Sequence, residues 1–256
     1  MRVLLLGGTS EARALAAMLE PDPAFHVVSS LAGRVTDPAL PVGEYVIGGF
    51  GGVDGLVAFL RERAIDAVVD ATHPFARTMS ANAVSACQAS AVALLALRRP
   101  GWDEVPGDRW HRVASVAAAA AVARDLTEPD ACVFVTTGRQ ELVPFADDRE
   151  RHYLIRSVDP PATALPPRHT LLLDRGPYDV AGELALLREH EVATLVTKDS
   201  GGPMTYPKIV AARDLGIPVV IVGRPVLPDT GEVPVETPQE ALDWLRRRGA
   251  APDPER

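Results

Sequence analysis

Long apolar runs are missing from this chain. No stretch approaches the ~20 apolar residues of a membrane span, and the opening run Val3–Leu6 is too short for the core of a signal peptide. The expectation is a cytoplasmic protein with no membrane partner. Cysteine is scarce: Cys87 falls in a helical pattern and Cys132 begins an apolar run. Neither the spacing of metal ligands nor the density of a disulfide scaffold is present, so buried free thiols and no metal are expected. Lysine is nearly absent as well. Of 26 basic residues only Lys198 and Lys208 are lysines, and a lysine set in a glycine turn points to a use for its compact ammonium. Basic residues do not cluster with aromatics, and a net charge of −8 repels nucleic acid. An anionic ligand would need a local basic pocket. Finally, no serine sits on a nucleophile elbow, no His-Glu-x-x-His occurs, and no lysine follows the first glycines as in a P-loop. Hydrolase, zinc-protease and P-loop readings therefore lack their residues.

What is present is a chain of 256 residues, 47% apolar, long enough for a large core and for two domains. Its opening, Arg2 to Arg13, sets the pattern: an apolar run meets Gly7, Gly8, Thr9, Ser10 and Glu11, and a helical periodicity follows with Ala12, Leu15, Ala16 and Leu19 on one face. This is a strand, a tight turn and a helix. Glycines let the backbone approach a ligand, and the helix start offers unpaired N–H groups, an arrangement suited to phosphate. The dinucleotide fingerprint Gly-x-Gly-x-x-Gly is absent, because the glycines are adjacent and Ala12 stands where the third would be.

The second strand, Phe25–Leu31, ends without the Asp or Glu that enzymes using NAD place there. Ser29, Ser30, Gly33 and Arg34 stand in that region, hydroxyls and a guanidinium able to hold a 2′-phosphate, so NADP fits better than NAD. A short strand at Tyr45–Ile47 runs into the loop Gly48-Gly49-Phe50-Gly51-Gly52, followed by a helix over Val53–Arg63. Strand Asp66–Asp70 leads to the turn Ala71-Thr72-His73-Pro74, placed at a strand's carboxyl end, where ligands sit in open α/β sheets. Thr72 can bond a ribose or an amide, and His73 can donate to a carboxylate, carry a proton or cap the helix predicted over Phe75–Ala89.

After a Gly-, Pro- and Asp-rich crossing at 101–110 the alternation resumes. Strands are predicted at Trp110–Val113, Cys132–Thr136, Tyr153–Ser157, Thr170–Leu173, from Thr194 and at Ile217–Val222, with helices at Ser115–Leu126, Val180–His190, after Pro203 and at Gln239–Arg248. Continuous apolar strands in repeating βα units argue for an α/β protein with two mainly parallel sheets. Lys198-Asp199-Ser200-Gly201-Gly202 repeats the opening turn with an ammonium added. From residues alone the reading stops at an NADP-binding α/β protein with an acidic substrate.

Six motifs in order, Gly7–Arg13, Gly48–Gly52, Asp70–Ala76, Thr136–Arg139, Arg175–Tyr178 and Lys198–Gly202, together resemble the precorrin-6A reductase family of cobalamin biosynthesis. The resemblance covers nearly the whole chain. It implies two Rossmann-like domains exchanging terminal strands, the first binding NADPH and the second helping to bind a tetrapyrrole. It also implies reduction of one double bond of precorrin-6A to give precorrin-6B, with neighbouring enzymes of the pathway as further partners. The expected boundaries are 1–100, 101–248 and a flexible tail at 249–256.

The residue assignments follow from position. Gly7, Gly8, Thr9, Ser10, Glu11, Ser30, Arg34, Gly49, Asp70, Ala71 and Thr72 are expected at the cofactor; His73, Arg77, Arg139, Lys198, Ser200 and Gly201 at the substrate's carboxylates. His73 doubles as the candidate proton donor. Two other readings remain open, a reductase of a smaller anionic substrate and a non-catalytic NADP-sensing module.

Overall fold

The computed structural model describes residues 1–33, 36, 38–226 and 228–250. The chain forms two compact units, Met1–Pro100 with the segment from Pro225 onward, and Gly101–Arg224. Each is a parallel sheet wrapped by helices.

The first unit opens with β1 (Arg2–Leu6), α1 (Ser10–Leu19), β2 (His26–Leu31), β3 (Glu44–Ile47), α2 (Val53–Glu62), β4 (Ala67–Asp70), α3 (Arg77–Ser90) and β5 (Ala93–Ala96). The sheet order is β3-β2-β1-β4-β5 and all its pairings are parallel. β1 and β4 lie at the centre and are buried on both faces, which explains their unbroken apolar runs. Leu15 and Leu19 of α1 pack under one face and Leu56 and Leu60 of α2 under the other. Chain order reverses between β1 and β4, and the loops leaving their carboxyl ends converge there, the expected place for a ligand in a doubly wound sheet.

The second unit contains β6 (Trp110–Val113), α4 (Val116–Leu126), β7 (Cys132–Val135), β8 (His152–Ser157), β9 (His169–Leu173), α5 (Val180–Glu189), β10 (Val192–Lys198), α6 (Pro207–Asp214) and β11 (Val219–Val222). Its order, β6-β11-β10-β7-β8-β9, is again all parallel, with the reversal between β7 and β10.

Each sheet is completed out of chain order. β6, which follows β5 in the chain, joins β11 in the second sheet. In the first sheet Val235, from beyond β11, takes the place beside Leu97, its N–H donating to the Ala96 carbonyl at 2.9 Å while Arg98 N–H donates to Val235 at 2.7 Å. Helix α7 (Pro238–Ala250) then covers α1, burying Leu242, Trp244 and Leu245 in the first core. This corrects the expected second domain of 101–248: from Pro225 the chain belongs to the first unit, because α7 carries an apolar stripe that α1 leaves uncovered. Gly249 and Ala250, expected in the tail, are helical; 251–256 lie outside the described residues.

No helix among the described residues is long and apolar enough to cross a membrane. Cys87 and Cys132 are buried free thiols.

Candidate functional site

In the first unit the loops after β1, β2, β3 and β4 surround a cleft of about 340 Å³. Gly7, Gly8, Ser30, Gly49, Thr72 and His73 line it. The cleft is built from backbone. Gly7 N–H donates to the Ser30 carbonyl at 2.9 Å, and Gly8 has φ +106°, a conformation that a side chain would strain. Thr9 caps α1 by accepting from Ala12 N–H at 3.1 Å and donates its own hydroxyl to the Ala71 carbonyl at 2.8 Å. One threonine thus ties the β1 loop to the β4 loop across the point of reversal.

On the other wall, Gly52 (φ +94°) starts α2 with no side chain capping it, so the first N–H groups of that helix keep their partial positive charge. A Cβ at Gly8, Gly49, Gly51 or Gly52 would meet nothing within 4 Å and would project into open space. Within α2, by contrast, a Cβ on Gly55 would run into the Phe50 carbonyl, so that glycine lets the loop fold back on its own helix. Phe50 is held there edge-on to Phe59, ring centroids 5.0 Å apart. Two helix starts, a cradle of glycines and, among the described residues, no acidic lining residue fit a phosphate-bearing nucleotide.

The turn after β4 is held from below. Asp70 is buried; its Oδ1 accepts from the Thr72 N–H at 3.1 Å and the Thr72 hydroxyl at 2.7 Å, and its Oδ2 accepts from the Ser80 hydroxyl at 2.6 Å. The Arg98 guanidinium pairs with the same carboxylate and donates to Ser80 Oγ at 2.9 Å. With its oxygens so engaged, Asp70 does not line the cleft and acts on it by orienting Thr72.

Several other expected residues also lie off the cleft lining. Ser10 donates to Glu11 Oε2 at 3.1 Å, and Glu11 pairs with Arg99 at 2.8 Å. Thr9 and Ala71 are buried behind the lining, where they bond each other. Arg34 falls outside the described residues.

His73 lines the cleft, and its Nδ1 accepts from Phe75 N–H at 3.3 Å. That bond fixes the proton on Nε2 in the neutral ring. The same turn delays the helix: α3 begins at Arg77 rather than Phe75, because Ala76 N–H donates to the His73 carbonyl at 2.7 Å in a separate turn. Arg77 is exposed at the first position of α3 and makes no ion pair among the described residues. Thr78, Met79 and Asn82 of α3 line the cleft without having been expected. Their signal was available: Thr78 and Asn82 are polar at i and i+4, on one face of a helix that starts at the reversal.

In the second unit the corresponding reversal gathers the remaining expected residues on the loops after β7 and β10. Arg139 follows β7 and lies 3.6 Å from Asp159. Lys198 ends β10 and pairs with Glu141. Ser200 N–H donates to the Lys198 carbonyl at 2.8 Å, folding the chain tightly before Gly201. The Thr137 hydroxyl, buried beside Arg139, has no hydrogen-bond partner among the described residues. Sequence reasoning did not single it out.

The perturbed groups near these loops follow from burial. Cys87 on α3 is pushed up to about 12, by desolvation first and the Asp70 charge second, so it is a protonated thiol. Lys208, enclosed in the second unit, is drawn down to about 7 by desolvation, Arg156 adding to the effect and Glu183 opposing it.

A family model described as precorrin-6x reductase CbiJ/CobK matches residues 2–246. The precorrin-6A reductase of Rhodococcus erythropolis is 51% identical over 244 residues, 95% of this chain and 97% of that one. That of Mycobacterium tuberculosis is 51% identical over 245 residues, with the same shares covered. A solved structure of a CobK precorrin-6A reductase is 43% identical, covers 98% of both chains and superposes with a TM-score of 0.88.

Proposed function

The chain belongs to the precorrin-6x reductase family, an oxidoreductase family, and from that premise we propose that it reduces one double bond of precorrin-6A with NADPH, giving precorrin-6B in cobalamin biosynthesis. The observation that carries the cofactor half of this reading is the glycine-lined cleft onto which the starts of α1 and α2 open. When bound, NADPH supplies a hydride to one carbon of the double bond while a proton reaches its neighbour, leaving NADP⁺ and a saturated bond.

The protein's own tasks are then binding, orientation and exclusion of water. N–H groups of the two helix starts would hold the pyrophosphate, and Gly7 and Gly8 would allow it close to the backbone. Ser30 stands at the end of β2 and no carboxylate lines the cleft among the described residues, which supports a 2′-phosphate over a free ribose hydroxyl, with Arg34 assigned to that phosphate. Thr72, its orientation set by Asp70, would be one of the residues that hold the cofactor. His73 is assigned to a substrate carboxylate or to protonation of the developing carbanion.

In the second unit, Arg139, Lys198, Ser200 and Gly201 supply a guanidinium, an ammonium, a hydroxyl and a backbone N–H for carboxylates of the macrocycle. The ion pairs of Lys198 with Glu141 and of Arg139 with Asp159 keep these cations neutralised until a carboxylate displaces the partner. A protein of net charge −8 can thereby bind a polyanion locally.

The test is to mix the purified protein with NADPH and precorrin-6A and follow both absorbances. Equimolar loss of NADPH and conversion of the ring chromophore are expected. Oxidation of NADPH only with smaller carboxylates would overturn the substrate, and binding of NADPH without oxidation by any acceptor would overturn the enzyme.

A further inference from the structure

The loop that follows β10 is fastened by one tryptophan. Trp102 N–H donates to Asp199 Oδ1 at 2.9 Å, and its indole Nε1–H donates to the Gly202 carbonyl at 3.0 Å. The two bonds grip the loop on either side of Ser200 and Gly201. The approach is close: a Cβ on Gly101 would stand 2.8 Å from Asp199 Oδ2.

Against that indole lies Lys208, in the first turn of α6 and only 3% exposed. Its ammonium is 4.9 Å from the Trp102 ring centroid and donates to the Thr205 carbonyl at 2.7 Å. Lys208 therefore acts on the loop twice, directly at Thr205 and through Trp102 at Asp199 and Gly202. An ammonium is a costly occupant for so enclosed a position, where a leucine or methionine would serve packing better.

The charged groups around it do not cancel it. Arg156 on β8 and Glu183 on α5 form a buried pair at 2.7 Å, and Arg156 also stacks 3.8 Å from the Tyr178 ring centroid. Glu183 Oε2 has no hydrogen-bond partner among the described residues, and Asp199 is taken up by Trp102 and, at 3.7 Å, by Arg112. The pair contributes one charge of each sign, so a protonated Lys208 is the excess charge of this interior.

We propose that Lys208 is a positioning residue for the loop 199–206, holding Thr205 and Trp102 so that Ser200 and Gly201 present their donors to a carboxylate of the tetrapyrrole. The inference rests on the functional reading above. Burial places the ionisation of Lys208 at about 7. Below that pH the cation is attracted to the indole face; above it that attraction is lost and the grip loosens.

The experiment is steady-state kinetics of the wild type and K208M with each substrate varied in turn. In K208M the KM for precorrin-6A rises about fivefold or more, while kcat and the KM for NADPH stay within about twofold. In the wild type the KM for precorrin-6A rises between about pH 6 and about pH 8 and that for NADPH does not, and the slope is absent from K208M. An unchanged precorrin-6A KM in K208M, or equal losses in all three constants, overturns the inference. Should K208M not fold, the wild-type profile decides alone, and a flat precorrin-6A KM overturns it. A wild type that oxidises no NADPH with precorrin-6A removes the functional reading and this inference together; an active wild type with an indifferent K208M removes the inference only.

Discussion

Asp70 and Thr72 bond each other twice, the carboxylate accepting from both the N–H and the hydroxyl of the threonine. The pair sits where β4 ends, so a residue on the cleft wall takes its orientation from one that never reaches the cleft. Arg98, 28 positions further on, completes the arrangement by pairing with the same carboxylate.

Replacing Asp70 by alanine leaves the Arg98 guanidinium buried without its partner, and breaking a buried pair in this way costs about 3–5 kcal/mol. D70A is therefore expected to unfold at markedly lower urea concentration and to lose NADPH affinity. D70A with an unchanged midpoint would show that the network contributes no net stability.

Gly55 offers a case in which two effects oppose. Alanine in place of a helical glycine ordinarily stabilises by up to about 1 kcal/mol, yet here, in the first turn of α2, the new Cβ collides with the Phe50 carbonyl and must push the glycine loop aside. The clash is expected to win. G55A should lower NADPH affinity at least about tenfold by fluorescence titration, roughly 1.4 kcal/mol, and gain no thermal stability.

Removing a general acid typically costs about 10²–10⁴ in rate. His73 already spends Nδ1 on the Phe75 N–H, so its main task is to hold the turn and a carboxylate. H73A is expected to lower kcat less than about tenfold while raising the KM for precorrin-6A. A fall in kcat of a hundredfold or more, measured at saturating substrate, would make His73 the proton donor.

The ion pair between Lys198 and Glu141 yields a prediction of paired signs. K198A should raise the KM for precorrin-6A, and E141Q, which removes the competing carboxylate, should lower it. Equal KM values in all three proteins would return Lys198 to a structural role.

Lys208 also couples stability to pH. Its folded value, about 7, lies below the ordinary 10.5, so between the two the unfolded chain binds more protons than the native state. Stability from this group then increases with pH across that interval, by at most about 1.4 kcal/mol per unit, and is lost as pH falls through 7. Subtracting the unfolding free energies of K208M from those of the wild type at each pH should reveal this positive slope; a zero difference slope would mean the lysine is not enclosed in solution.

Much of the fold was legible in the sequence because parallel strands buried on both faces leave unbroken apolar runs, as in Val3–Leu6 and Cys132–Val135. The glycine loops betrayed the cleft for the same reason: few other causes place Gly7-Gly8 and four glycines in 48–52 directly after strands. Local pattern could not show what Asp70, Glu11 and Lys208 do. Each was a charge of unstated partner until Arg98, Arg99 and Trp102 were brought to it from 28, 88 and 106 positions away. Helix α7 was found as an amphipathic stripe, but a stripe does not name the surface it will cover.

The placement of Val235 and α7 in the first unit sets a timetable for synthesis. Emerging from the ribosome, Gly101–Arg224 has everything it needs by the time Arg224 is made, whereas the amino-terminal hundred residues must wait, with α1 uncovered, for the last thirty. The half that is made earlier is closed only by residues beyond Arg224, and a chain cut before Val235 would release that half without its last sheet partner and its covering helix.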